Sequence, residues 1–169
     1  MQLRDLLTGG NRRSLAQANE ALAIARQDRD AVDQLARLTG DPDPLVAQRA
    51  CDVLEKLVRE RPDWVQPHKR VFLDLVSSPY WETRLQCVRA IPLFKWESEE
   101  RPRVVEALRQ RIDDEQKFVR CWALDGFAQL AADAPSIRDE LKGRLSDFLG
   151  SGIPSMQARA RAIETRLKP

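Results

Sequence analysis

Apolar residues return along this chain at intervals of 36 or 37 positions. Leu38, Leu75, Ile112 and Leu149 are each separated by 37. Some nine residues further on, Ala47, Arg84, Arg120 and Gln157 open a second series at intervals of 37, 36 and 37. In step with it run the small residues Ala50, Cys87, Ala123 and Ala160, and then Leu57, Phe94, Leu130 and Leu167. Each unit therefore carries two apolar stripes. A period of this length marks one supersecondary unit per repeat, unable to bury its apolar face alone and stacked on its neighbours to make a continuous core.

The punctuation between stripes predicts helical hairpins. Residues 30–39 read as a short amphipathic helix, with Asp30 placed to cap its first turn and Gly40 to end it. Asp43 then caps a second helix with Pro44 at its first position. Leu45, Val46, Ala50, Val53, Leu54 and Leu57 recur at helical spacing up to about Arg61. The next pair has an incoming helix near 67–76, a turn at Ser77 and Ser78, and Pro79 opening a helix through Trp81, Arg84, Cys87 and Ile91. Pro92 should stop or kink that helix near Ile91, because it removes a backbone hydrogen bond and clashes with the preceding turn. The third pair is predicted at 102–112 and 115–132, the fourth at 136–149 and 154–167. Ahead of them, 14–26 reads as a lone helix with Leu15 and Leu22 on one face, standing where the second helix of a truncated repeat would be. No strand pattern interrupts the series. The whole chain, 1–169, is expected to form a single all-α domain: a capping segment over 1–28 and repeats at about 30–61, 66–98, 101–133 and 136–168. The polar outer side of 156–168 would close the far end, so both termini read as finished ends of a whole module.

Composition narrows the chemistry. With 169 residues, 43% of them hydrophobic, the chain can build a core without a disordered or collagen-like bias. The start, MQLRDLLTGGNRR, lacks the order of a secretion signal and no run is apolar enough to cross a membrane, which makes the cytoplasm the default location. The net charge of +2 supplies no strong field for nucleic acid or membranes, although 155–169 is locally basic. Cys51, Cys87 and Cys121 fall inside predicted helices at related places in successive repeats and are expected as reduced thiols. No pair has metal-site spacing, so no metal or cofactor is expected.

Catalytic groupings are equally sparse. His68 is the one histidine, and its setting, QPHKRVF, reads as a helix start rather than as a base beside a nucleophile. The acidic pairs Asp113 with Asp114 and Glu99 with Glu100 lie at helix connections, where carboxylates suit the helix dipole. Gly9 with Gly10 and Gly150 with Gly152 read as turn residues, not phosphate cradles. Tyr80, Trp81, Trp96 and Trp122 stand above this background. Tryptophan beside arginine is the chemistry of interaction hot spots, while the same rings can simply fill gaps between repeats.

The segment FVRCWALDGFAQLAADAP resembles the second helix of a HEAT repeat, through Val119 with Arg120, the small Ala123 and the aspartate Asp125. DPDPLVAQRACDVLEKLVRERPDW keeps the Asp-Pro entry, Val46, Ala50, Asp52 and Leu57, with Ala47 where arginine is typical. SPYWETRLQCVRAIPLF keeps Arg84 and has Arg89 in place of the aspartate. The resemblance covers about 30–168 and concerns a fold rather than an activity. It implies a right-handed alpha-alpha superhelix, a HEAT-like solenoid of about four helical hairpins plus an N-terminal capping helix. Its second helices would line a concave, partner-binding side. Carried over residue by residue, that side would present Arg49, Asp52, Lys56, Leu85, Arg89, Trp96, Trp122, Asp125, Gln129, Arg159 and Arg166. The arginines and aspartates among them could equally form a ladder of ion pairs between adjacent repeats, each worth about 0–1 kcal/mol if exposed. The expectation is a non-catalytic, monomeric scaffold that binds a protein partner. The alternative is a nucleic-acid-binding protein related to the HEAT-like alkylpurine DNA glycosylases, which hold damaged DNA with tryptophan, aspartate and arginines. Trp122, Asp125, Arg89 and Arg159 carry that fainter similarity.

Overall fold

The computed structural model describes residues 2–169, and every regular element among them is helical. The chain divides into two compact units, one running to Lys95 and the other spanning Trp96–Pro169.

The first unit opens with α1 (Leu3–Leu7) and α2 (Ala18–Ala25), followed by α3 (Arg29–Leu38), α4 (Pro44–Glu60), α5 (Pro62–Val65), α6 (Lys69–Leu75) and α7 (Trp81–Ala90). A 3-10 turn over Gln66–His68 joins α5 to α6, and another over Ile91–Leu93 follows α7. The long α4 is the centre of this unit: α3 pairs with it, while α2 and α7 pack against it. Its start follows the sequence rules, since the Asp43 side chain accepts from Leu45 N at 2.9 Å with Pro44 at the first helical position. Asp28, not Asp30, caps α3 by accepting from Asp30 N, so the helix begins a residue earlier than expected. The expected helix at 14–26 is shorter, because Ala16 sits at positive φ (47°) and the chain becomes regular only at Ala18. Leu15 is consequently left outside the helix and exposed, while Leu22 is buried. α7 starts at Trp81 with Pro79 outside it, and ends at Ala90 as Pro92 requires.

The second unit pairs α8 (Arg101–Ile112) with α9 (Lys117–Ala131) and α10 (Arg138–Leu149) with α11 (Pro154–Leu167), and α9 packs against both members of the last pair. Val104, Leu108, Ile112, Val119, Leu124, Phe127, Phe148 and Ile163 form its core.

The 37-residue columns have a physical meaning here. Leu38, Leu75, Ile112 and Leu149 are the last residues of α3, α6, α8 and α10, half-buried or buried where each first helix turns into its partner. The second series sits in the first turn of the returning helix and reaches back to that turn. Arg120 donates from Nε to the Ile112 carbonyl (2.9 Å), and Gln157 donates from Nε2 to the Leu149 carbonyl (3.0 Å). Arg84 does the same to the carbonyls of Ser78 and Pro79. These side chains thus satisfy acceptors that a helix end or turn leaves without a backbone donor. Ala47 has no such group, and its turn is fastened instead by Asp43, by Asp41 accepting from Asp43 N (2.9 Å) and by Thr39 donating to the Ala36 carbonyl (2.7 Å).

Ala50, Cys87, Ala123 and Ala160 are all fully buried. Ala123 is fully buried on α9, which packs against α8, α10 and α11, so Ala123→Leu must displace packed neighbours, at about 1–3 kcal/mol. A thermal melt of that variant is expected several degrees below the parent protein.

Candidate functional site

In the second unit, five of the expected partner-facing residues come together. Trp122, Asp125 and Gln129 are spaced by three and four along α9, which puts them on one helix face, and Arg159 and Arg166 lie two turns apart on α11. Asp125 is the hub. Although only 3% exposed, it accepts from Gln129 Nε2 (2.9 Å) and Arg166 Nη1 (3.2 Å) through Oδ1, and from Arg159 Nη1 (3.0 Å) through Oδ2. Arg159 also lays its guanidinium over the Trp122 ring, 4.2 Å from the centroid. A carboxylate this buried needs such partners, since burying an unpaired charge is costly. Trp122 and Arg159 remain half-buried, and Gln129 and Arg166 are exposed.

The first unit distributes its expected residues differently. Asp52 pairs with Lys56 one turn along α4 (2.7 Å), and Leu85 is half-buried on α7. Arg89 reaches Glu55 Oε1 at 3.3 Å, a contact between α7 and α4. Glu55 is 2% exposed and also accepts from Arg59, which makes it the hub of this unit in the way Asp125 is of the other. The sequence reading missed Glu55 as one more helix carboxylate. A usable signal existed, because Glu55 to Arg89 and Asp125 to Arg159 have the same 34-residue separation.

Besides Asp125, two expected surface residues are corrected by their burial. Arg49 is 2% exposed and donates to three carbonyls of the N-terminal segment: Leu7 from Nη1 (2.6 Å), Ser14 from Nε (3.0 Å) and Asn11 from Nη2 (3.1 Å). Its fork is filled by backbone and lies out of reach of a partner. Trp96, in the connection before α8, is 7% exposed, so its indole serves packing.

Four other arginines act as two-pronged fasteners. Arg4 holds Asp41, Arg26 holds Glu60, Arg109 holds Glu140 and Arg144 holds Asp113, each through two nitrogens at 2.6–3.0 Å. Hydrogen bonds from these arginines hold the carboxyls of Asp41, Glu60 and Glu140 below their usual range, and Arg109 does the same to Glu106. A carboxyl whose pKa is lowered by folding stabilises the fold above its unfolded value near 4. That stabilisation is lost as pH falls through the lower, folded value. Stability is therefore expected to be level around neutrality and to drop below about pH 4. Urea titrations at pH 7 and pH 3 should give a lower midpoint at pH 3, and Glu140→Gln should reduce the difference.

Elsewhere the chemistry is modest. His68 Nε2 lies 2.6 Å from Asp33 Oδ1, linking the 3-10 turn to α3 rather than standing in solvent. The three cysteines are free thiols. Burial, reinforced by a hydrogen bond with Cys51, pushes the Cys87 thiol well up, and burial raises that of Cys121. Among the described residues no cluster of histidine, cysteine and carboxylate is arranged to hold a metal, and no helix is long and apolar enough to cross a membrane. An open hollow of about 370 Å³ lies beside Ala131, Arg138, Leu141, Leu145 and Leu167.

Solved structures share this architecture. A designed armadillo repeat protein in complex with the peptide (KR)4 superimposes with a TM-score of 0.66 at 16% identity, over 98% of this chain and 80% of the other. A computationally designed armadillo repeat protein for modular peptide recognition gives the same score at 17% identity, covering 98% and 81%. An engineered protein follows at 0.61 and 19% identity, over 94% and 74%. No family model and no curated protein matches the sequence. The chain has a helical-repeat fold of the HEAT and armadillo type, as its repeat pattern and its resemblance implied.

Proposed function

We propose that this chain is a non-catalytic repeat scaffold that binds an extended segment of a protein partner on the faces of its second helices. The observation that carries this reading is the Asp125 cluster. A half-buried tryptophan stacked with an arginine, beside a further exposed arginine and a glutamine, combines the residue types that dominate interface energetics. The internal ion pairs hold these side chains in place before a partner arrives, which lowers the ordering cost of binding. A designed armadillo repeat protein in complex with the peptide (KR)4, and another designed for modular peptide recognition, support the same mode. In the first unit, Leu85 with Asp52, Lys56 and Arg89 is the corresponding surface, without Arg49. Binding of nucleic acid, the alternative reading, draws less support. The aspartate that would have to face a damaged base is 3% exposed and held by two arginines.

Panning a displayed library of random dodecapeptides, followed by titration of the recovered sequences, tests the proposal. Peptide affinity is expected to change by no more than about tenfold between 50 and 200 mM salt, whereas a phosphate-dominated contact would lose about a thousandfold or more. Trp122→Ala is expected to weaken peptide binding by about tenfold or more. An unchanged affinity in that variant, or steeply salt-dependent binding of duplex DNA in place of peptides, would overturn it.

A further inference from the structure

The arginines of the Asp125 cluster differ from Arg109 and Arg144 of the second unit in one respect. Arg109 and Arg144 each present two nitrogens to one carboxylate, which fills the guanidinium fork. Arg159 and Arg166 each spend a single nitrogen, Nη1, on Asp125. Among the described residues, Nε and Nη2 of both have no protein acceptor, so each keeps an edge available. Asp125 itself is saturated, with Gln129, Arg159 and Arg166 all on its two oxygens. Two cations therefore share one buried anion, and the site carries an uncompensated positive charge.

The surroundings reinforce that imbalance. α9 and α11 carry Lys117, Arg120, Arg159, Arg161 and Arg166 against only Asp125 and Glu164. The Trp122 ring lies against the Arg159 guanidinium, 4.2 Å from its centroid, leaving the unpaired nitrogens as the direction of approach. A weakly hydrated, planar, pre-oriented fork is suited to a carboxylate that can accept two hydrogen bonds side by side.

We infer that the open edges of Arg159 and Arg166 form a receptor for an aspartate or glutamate side chain of an acidic peptide. This rests on the peptide-scaffold reading above and adds the charge of the partner to it. A basic segment such as (KR)4 would meet like charge here.

Fluorescence anisotropy with labelled decapeptides (Glu-Gly)5, (Gln-Gly)5 and (Lys-Gly)5, and with a 20-base single-stranded DNA, tests the inference. (Glu-Gly)5 should bind tightest. Arg166→Gln, which leaves the Arg159 pair in place at a half-exposed position, should weaken it by about tenfold, the scale of a hydrogen bond to a charged group. Asp125→Asn removes the competing anion and should tighten (Glu-Gly)5 binding by at least threefold, roughly what a modest rise in local potential gives. A cluster with a purely structural role would give the opposite sign. Equal binding of all three peptides, with Arg166→Gln silent, would overturn the carboxylate receptor while leaving the peptide-scaffold reading standing. Binding of none of the peptides would end both, and tighter binding of DNA than of (Glu-Gly)5 would replace the peptide with a phosphate backbone.

Discussion

Arg49→Met is expected to destabilise the first unit by about 3 kcal/mol, the scale of losing charge-assisted hydrogen bonds and stranding their acceptors. Methionine can fill much of the space of the arginine stem but donates nothing. The carbonyls of Leu7, Asn11 and Ser14 would then lose the group that now gathers them onto α4. Lysine should not rescue the defect, because a single ammonium cannot reproduce a three-nitrogen fork. Two measurements check this: the urea midpoint should fall, and trypsin should cut faster at Arg12 and Arg13, which lie in the irregular stretch that Arg49 ties down. An unchanged midpoint with unchanged cleavage would show that the segment is held by something else.

Phe127→Ala should be of similar or larger size, about 3–5 kcal/mol, this time in the second unit. Phe127 is fully buried on α9 and, with Phe148, is among the largest fully buried side chains. The guanidinium of Arg109 lies 5.9 Å from its ring centroid, so truncation opens a cavity next to a polar clamp as well as removing apolar burial. Phe127→Leu keeps most of the volume and should cost less than half as much. Equal losses for the two variants, measured by chemical denaturation, would argue against a cavity as the cause.

How far the sequence carried the reading depends on what each residue contacts. The repeat was legible because its columns are tied to backbone geometry: the ends of α3, α6, α8 and α10, and the fully buried Ala50, Cys87, Ala123 and Ala160. The Asp125 cluster was legible for the same reason, since its members lie at helical spacing on two helices one repeat apart. Arg49 was not legible. It occupies the same register as Arg159, but its acceptors belong to an irregular segment whose path no periodicity describes. Glu55 was hidden differently, since burial of a helix carboxylate depends on which arginine from the next helix folds over it. Trp96 lies in a connection, where helical register says nothing about which way a ring turns.

The clasp from the returning helix to the end of its predecessor sets limits on drift in length. Arg120 and Gln157 each reach a carbonyl eight positions upstream, across turns of only a few residues. One residue gained or lost inside either turn would change the path by up to about 3.6 Å and pull that side chain off its carbonyl. The link between α9 and α10 is tied in a similar way, with Arg138 donating to the carbonyls of Ala131 (3.4 Å) and Ala132 (3.1 Å) seven and six positions upstream. Genetic insertions, natural or engineered, should therefore be purged between Asp113 and Gln116 and between Gly150 and Ile153.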